Sequence, residues 1–186
     1  MTQEEAVKRI NRVAYEELES LDLSDLELQE VPAEIAKCRF LNVLDLAYNR
    51  ITFIPDTLGQ LFNLKILFLH KNQITSIPES IVQLSNLQQL FLQENQIISI
   101  PESIGQLSNL QQLCLEENQI TFIPESIGDL SKLTYLSLHK NQITSIPEAL
   151  GQFLSNLEDF TFDRKQIIEP PQPIRELLKR RFEGSY

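Results

Sequence analysis

The sequence predicts an α/β solenoid: a horseshoe-shaped arc with a parallel β-sheet on its concave face, short helical turns on its convex face and helical caps at both ends. Two observations predict it. Asparagine recurs every 23 residues, at Asn49, Asn72, Asn95, Asn118 and Asn141. Each asparagine follows Leu-x-x-Leu-x-Leu-x-x and precedes x-Ile-x-x-Ile-Pro. Such a period is typical of stacked repeat units, so the chain is expected to be elongated.

The repeated pattern carries a family resemblance. Leu-x-x-Leu-x-Leu-x-x-Asn resembles the repeat of leucine-rich repeat proteins. The 23-residue period with Ile-Pro in its second half is similar to the repeats of Ras-group intracellular leucine-rich repeat proteins and of bacterial Roco proteins, whose repeats are joined to a GTPase. The resemblance covers roughly residues 18–180. It implies the fold and a binding surface, but it does not name a ligand, because family members share the surface only.

Residues 1–17 are predicted to form an N-terminal capping helix. The run Thr2-Gln3-Glu4-Glu5 has the form of a capping box. An apolar stripe at helical spacing follows it, made of Val7, Ile10, Val13, Ala14 and Leu18. Because a solenoid end must be covered for solubility, this stripe is expected to close the first unit. A helix offered to a partner is the alternative.

Seven repeat units are predicted over residues 18–172. They begin at Leu18, Leu41, Leu64, Leu87, Leu110, Leu133 and Leu157, the last displaced by one inserted residue near Phe153 and Leu154. In each unit the leucines at positions 1, 4 and 6 are expected to point inward, and positions 3, 5, 7 and 8 to point outward along a short strand and its exit. The asparagine at position 9 can donate and accept, so it is expected to bridge the backbones of successive units as a ladder.

The second half of each unit is expected to form the convex side. Pro-Glu-Ser-Ile can open a helical turn with proline at its first position. Glycine recurs in that turn, with Val82 as the exception. Residues 173–186 are predicted to form a C-terminal capping helix and tail, with an apolar stripe made of Ile174, Leu177, Leu178 and Phe182.

Composition narrows the partners and the compartment. Sixteen basic and 26 acidic residues give a net charge of −10, which would repel a phosphate backbone, so nucleic acid is not expected to bind. There is no run of 18 apolar residues and no signal-like segment after Met1, so we expect a cytoplasmic protein without a membrane span. Cys38 and Cys114 lie over three repeats apart, roughly 15 Å at the usual strand spacing, and are expected to be free thiols.

Catalysis and metal binding find little support. Cys114, Glu116 and His139 resemble the parts of a thiol active site, but an open repeat surface offers no evident oxyanion donors. We expect Cys114 to be an ordinary exposed thiol, and a thiol-dependent enzyme that uses Cys114 is the alternative. His70 and His139 lie three repeats apart and cannot share a metal ion. No G-x-x-x-x-G-K phosphate loop occurs, so any GTPase that the family resemblance implies must be another polypeptide. No cofactor and no catalytic residue is predicted.

The outward positions of the strands predict a partner-binding surface. Phe68, Phe91 and Ile66 occupy solvent-facing positions where the fold does not require apolar residues, which favours an interaction site. The rim is expected to pair Lys71 with Glu94, and Glu117 with Lys140. The candidate contact residues on the concave face are Val43, Asp45, Tyr48, Ile66, Phe68, His70, Lys71, Phe91, Glu94, Cys114, Glu116, Tyr135 and His139.

These features predict a non-catalytic module that binds a protein or peptide through its concave face. The family resemblance implies a small GTPase or a signalling assembly as the partner. The competing hypothesis is structural self-association through the concave face or one end of the solenoid; a monomer is expected, with a dimer as the alternative.

Overall fold

The predicted solenoid is present in the computed structural model, which describes residues 2–153, 157–163 and 175. Seven parallel strands pair in chain order to form one sheet. They are β1 (Ser20–Asp22), β2 (Val43–Asp45), β3 (Ile66–Phe68), β4 (Gln89–Phe91), β5 (Gln112–Cys114), β6 (Tyr135–Ser137) and β7 (Asp159–Thr161). Leu67 pairs with Leu90, 23 residues on, whereas Leu136 pairs with Phe160, 24 residues on. The inserted residue that displaces the last unit therefore lies between β6 and β7.

Each strand is three residues long and places one inward side chain between two outward ones. The central leucines, such as Leu44, Leu67 and Leu90, are fully buried. A buried leucine follows each of the strands β1 to β6 directly, and two residues after that leucine the backbone turns with a positive φ of 53 to 57°. These left-handed residues are Asp25, Tyr48, Lys71, Glu94, Glu117 and Lys140.

The convex side is built from 3-10 helices rather than α-helical turns in five of the units. Their bounds are Ala33–Lys37, Asp56–Gln60, Glu79–Gln83, Glu102–Gln106 and Glu125–Asp129. The sixth unit instead has an α-helix, α2 (Glu148–Phe153). Proline stands one position earlier than predicted: Pro55 is the N-cap, and its carbonyl accepts the Leu58 N–H at 3.0 Å. Its extended backbone, with ψ at 148°, is outside the helical range, so it cannot be the first helical residue.

The N-terminal helix α1 (Thr2–Tyr15) packs against β1 and the first 3-10 helix. Ile10 and Val13 of the predicted stripe are buried, and Ala6, which the stripe omitted, is fully buried as well. Leu18 departs from the prediction: it is 40% exposed instead of pointing inward. The helix ends at Tyr15, three residues before Leu18, and so does not cover it. The first unit also has no earlier unit that could cover this leucine.

The predicted C-terminal cap, residues 173–186, falls outside the described residues except for Arg175. The same holds for Leu154, beside the insertion.

A buried ladder of asparagines joins the units where each strand exits. Asn72 donates to the Leu46 carbonyl of the preceding unit at 2.9 Å and to its own Leu69 carbonyl at 3.1 Å. Its Oδ1 accepts the Ile51 N–H at 2.9 Å. The same three contacts recur at Asn49, Asn95, Asn118 and Asn141. Each amide thus satisfies backbone groups that the turn would otherwise leave buried and unpaired.

A second, exposed asparagine row was not predicted. It lies just before units three, four and five begin, where Asn63, Asn86 and Asn109 donate to backbone carbonyls of the preceding unit at 2.8 to 2.9 Å. The sequence signal was available, since these residues share the 23-residue spacing.

Candidate functional site: the concave face

The in-register strands arrange equivalent side chains into columns across the concave face. Asp45 pairs with Phe68, Phe68 with Phe91, and Phe91 with Cys114. Phe68 and Phe91 lie on the face opposite the leucine core and are half-buried. Their rings stack at 4.8 Å between centroids with an interplanar angle of 11°. Because each ring shields one face of the other, the pair forms a single apolar ridge across two units.

Ile66 and Val43 extend this ridge on its position-3 side. Both are half-buried and pair with each other across β2 and β3. Further along the same column the residues become polar, with Gln89 and Gln112. The sheet therefore accommodates polar side chains at this position, and the apolar residues of units two to four are not a requirement of the fold. We call Val43, Ile66, Phe68 and Phe91 the apolar strip.

The column continues differently beyond Phe91. Cys114 is only 5% exposed and Ser137 only 1% exposed, although both occupy an outward position. The prediction of an exposed thiol at Cys114 is therefore wrong. The reason is size: these side chains are short, so the longer side chains of the adjacent columns close over them, with Glu116 and Tyr135 near enough to Cys114 to act electrostatically.

Position 7 forms a polar column beside the apolar strip. His70, Gln93 and Glu116 follow one another in successive units, and each has one water-shielded polar atom without a hydrogen-bond partner: Nδ1, Oε1 and Oε2 respectively. Burial lowers the pKa of His70, opposed by the carboxylates of Asp45, Glu94 and Glu116. His70 also meets Tyr48 and Phe68 edge to face, at 5.2 and 6.2 Å between centroids.

The rim of the concave face carries ion pairs between neighbouring units. Lys71 Nζ lies 3.5 Å from the Glu94 carboxylate, and Lys140 Nζ lies 2.5 Å from that of Glu117. The hydrogen bond from Lys140 lowers the pKa of Glu117. Lys71 also sits 4.8 Å from the ring centroid of Tyr48, a cation–π arrangement that sequence reasoning did not foresee. These pairs are exposed and stabilise the fold little.

The concave face is acidic. Of the charged side chains at its strand and strand-exit positions, only Lys71 and Lys140 are basic among the described residues, and both are paired with glutamates. The acidic side chains are Asp22, Asp25, Asp45, Glu94, Glu116, Glu117, Asp159 and Asp163. The charge available to a ligand is therefore negative.

The thiol constellation does not assemble into a nucleophilic site. Desolvation raises the pKa of Cys114 to about 12, so the thiol is protonated at neutral pH. The His139 ring nitrogen Nδ1 instead lies 3.1 Å from Ser137 Oγ and 3.3 Å from Thr161 Oγ1. This histidine–hydroxyl cluster was not predicted, and the burial of Ser137 keeps its hydroxyl away from any substrate. Cys38 is also a buried free thiol.

His70 and His139 belong to units separated by three strand steps, and no group of three potential ligands in the described part of the chain could hold a metal ion. No helix in the described ranges has the length and apolarity needed to cross a membrane.

Comparison with known proteins places these features in a family. The family model of a leucine-rich repeat region matches residues 56–166, and the family model of a leucine rich repeat matches residues 16–74. No curated protein matches the chain.

Solved structures give the same result. A leucine-rich repeat protein of Leptospira interrogans is 30% identical with a TM-score of 0.71; the match covers 90% of this chain and 49% of that one. Internalin C2 of Listeria monocytogenes is 34% identical with a TM-score of 0.69, over 77% of this chain and 60% of that one. The plant peptide hormone receptor RGFR1 in complex with RGF2 is 34% identical with a TM-score of 0.70, over 77% and 24%. The chain thus spans about half of the Leptospira protein and less of the receptor. It belongs to the leucine-rich repeat family.

Proposed function

We propose that the chain is a non-catalytic protein-interaction module that binds a partner protein or peptide on its concave face. Leucine-rich repeat domains generally act as protein-interaction modules and are typically non-enzymatic. The observation that carries the proposal is the apolar strip: Phe68 and Phe91 form a ridge on the strand face, outside the leucine core. The neighbouring units place Asp45 and Cys114 at the equivalent position. Apolar residues that the fold does not need are typical of binding surfaces.

The proposed contact surface keeps the apolar strip at its centre and the ion-paired rim at one side. Tyr48, 51% exposed, stands at that rim and offers a large ring to a partner. Cys114 contributes little contact area because it is buried. The other proposed contact residues are Asp45, His70, Lys71, Glu94, Glu116, Tyr135 and His139.

The test removes the ridge without touching the core. The double variant Phe68→Ser/Phe91→Ser is expected to lose the partner in affinity capture with quantitative mass spectrometry, because partner contact with the two rings is lost. The matched control is Phe53→Ser/Phe122→Ser, which removes two phenylalanines that are 48% and 50% exposed after the strand exits. Equal partner recovery by the two double variants would overturn the proposal, provided that circular dichroism shows both to be folded.

Self-association is tested separately by light scattering across a concentration series. A stable monomer supports binding to another protein, whereas a dimer that is lost in Phe68→Ser would show that the concave face binds a second copy of the chain.

The similarity of the Ile-Pro repeats to Ras-group and Roco repeats supports a more specific proposal, in which a cytoplasmic small GTPase or signalling assembly is the partner. The measurement is capture by purified small GTPases loaded with GDP or a GTP analogue. Enrichment with one nucleotide state supports this partner class. Absence of enrichment with every GTPase removes this class and leaves the interaction role intact.

A further inference from the structure

The apolar strip has a carboxylate at each end. Asp45 of unit two precedes Phe68 in the same column, and Glu116 of unit five follows Phe91 at the opposite end, one column across. Neither carboxylate takes part in an ion pair among the described residues. The other glutamates on the concave face of the central units, Glu94 and Glu117, already pair with lysines. Asp45 and Glu116 are therefore the charges next to the strip that a partner can still neutralise.

The two carboxylates differ in what they already bind. Asp45 accepts the Ala47 backbone N–H at 2.9 Å through one oxygen. Glu116 has an oxygen, Oε2, that is shielded from water and has no donor. Because rotation about the terminal bond of glutamate exchanges its oxygens, a donor arriving at this half-buried side chain can satisfy the carboxylate. An unmet buried acceptor is costly, so a cationic donor is favoured there.

The spacing of these groups defines the shape of a ligand. Units two and five are three strand steps apart, about 14 Å along the stack at about 4.8 Å per step. An extended segment rises about 3.3 Å per residue, so four residues span about 13 Å. In an extended segment, residues i, i+2 and i+4 face the same side. A central apolar side chain at i+2 would thus meet the Phe68–Phe91 ridge when i and i+4 meet the two carboxylates.

We propose that the concave face recognises an extended partner segment with basic residues at i and i+4 and a large apolar residue at i+2. This segment lies along the stack of strands, from Asp45 to Glu116. This inference rests on the proposed function and specifies the chemistry of the partner. The apolar side chain packs on the exposed ring edges of Phe68 and Phe91. The basic side chains donate hydrogen bonds to the two carboxylates, in agreement with the net charge of −10.

The experiment uses the intact chain and the synthetic peptide Ser-Arg-Ser-Leu-Ser-Arg-Ser, acetylated and amidated, with affinity measured by calorimetry at physiological salt. A composition-matched peptide, Ser-Arg-Arg-Leu-Ser-Ser-Ser, has the same charge but the wrong spacing. The spaced peptide is expected to bind about tenfold or more tightly than its scramble, because only it reaches both carboxylates. Equal affinities, or no binding of the spaced peptide, overturn the proposal.

Paired variants separate specific recognition from general attraction to an acidic protein. Glu116→Gln is expected to reduce affinity for the spaced peptide about tenfold. Glu102→Gln, on an exposed convex 3-10 helix, changes the net charge equally and is expected to leave affinity unchanged. Equal effects of the two variants would contradict the proposal. If the peptide fails but the Phe68→Ser/Phe91→Ser variant still loses its captured partner, the interaction role stands and only the basic-segment chemistry is rejected.

Discussion

At the scale of single residues, the buried asparagine amides of the ladder have the strictest hydrogen-bond requirements. Asn95 satisfies the Ile74 N–H and the carbonyls of Leu69 and Leu92, at 2.9 to 3.0 Å, while only 8% exposed. No other side chain can provide one acceptor and two donors of the same shape. The buried backbone groups at the ladder positions therefore find all their hydrogen-bond partners only when the residue is asparagine.

Asn95→Ala is expected to lower the free energy of unfolding by about 2 to 4 kcal/mol, because it leaves several buried backbone groups unpaired. The measurement is urea denaturation followed by circular dichroism. Asn86→Ala is the control, since it removes one bond, to the Phe62 carbonyl, at an exposed site where water can replace it. Similar losses in the two variants would contradict this account of the ladder.

The thiols provide a second test at this scale. Burial raises the pKa of Cys114 to about 12 and that of Cys38 to about 11. Both are expected to react with a thiol reagent such as Ellman's reagent far more slowly in the native protein than in urea, because little thiolate forms and access is blocked. The single variant Cys114→Ser assigns the remaining signal to Cys38. Native-state labelling of Cys114 at the rate of a free peptide thiol would refute its burial.

The pH dependence of stability tests the environment of His70. Because burial lowers the pKa of His70, the unfolded chain binds a proton more readily than the folded one as the pH falls below the ordinary value of 6.5. The free energy of unfolding therefore falls as the pH drops from 6.5 toward the lower pKa that His70 has in the folded protein. Urea denaturation of wild type and His70→Gln at about pH 7.5 and pH 5.5 should show the wild type losing more stability than the variant. If the free energies of unfolding of wild type and variant differ by the same amount at both pH values, the prediction is wrong.

At the scale of the elements, the convex 3-10 helices pack so closely that some positions exclude a side chain. A methyl group added to Gly105 would overlap the backbone carbonyl oxygen of Ser126 in the next 3-10 helix. At Gly59 the nearest atoms belong instead to the Gln83 side chain, which can move away. Glycines at equivalent positions of the repeat thus differ in whether they tolerate an added methyl group.

Gly105→Ala is expected to cost about 1 to 3 kcal/mol of stability, because the backbone of the neighbouring unit must shift. Gly59→Ala should cost less, since a side-chain movement relieves the overlap and alanine is the better helix former. Thermal denaturation of both variants checks the order. A larger loss at Gly59 would show that the packing differs from this description.

Much of the fold could be predicted because the repeat places one residue type at one structural position. The period alone gives the strand register, and the amide chemistry gives the bridging role of Asn72. Burial on the concave face could not be predicted in the same way. Cys114 and Phe68 occupy equivalent outward positions, yet the short thiol is covered by its neighbours while the phenylalanine ring reaches past them. The exposure of Leu18 was missed because the pattern does not reveal where α1 stops.

The candidate site was predictable in its composition and in the ion pairs of its rim, but not in its aromatic contacts. The sequence identified Phe68, Phe91 and the rim charges, because their columns follow from the period. The stacking of the two rings and the contact of Lys71 with Tyr48 depend on side-chain rotamers, which the period does not determine. The unmet acceptor of Glu116 is likewise a property of packed neighbours. Such features carry the proposed specificity, so the sequence indicates the place of the proposed binding surface better than the chemistry of its proposed ligand.

At the scale of the whole molecule, the solenoid is a one-dimensional stack. Among the described residues, the contacts between elements join neighbours: each strand to the next strand, each convex helix to the next, and α1 to β1 and the first 3-10 helix. Stability in such a stack is the sum of the units and their interfaces, and disturbance of one unit is felt first by its neighbours.

Leu90→Ala, which opens a cavity at a fully buried position of β4, is expected to accelerate amide hydrogen exchange most in β3, β4 and β5 and least in β1. Hydrogen-exchange mass spectrometry on wild type and variant measures this decay with distance. Uniform acceleration along the chain would show that the solenoid opens only as a single cooperative unit.

The left-handed backbone at the strand exits restricts what evolution or a protein engineer can place there. Tyr48, Lys71 and Glu94 all have φ near +56°, a region that β-branched side chains strongly avoid. A saturation library at these three positions, selected only for folded protein, should lose valine, isoleucine and threonine and retain glycine and asparagine. The rim can therefore change its charge freely during adaptation to a new ligand, while its side-chain branching stays fixed by the backbone.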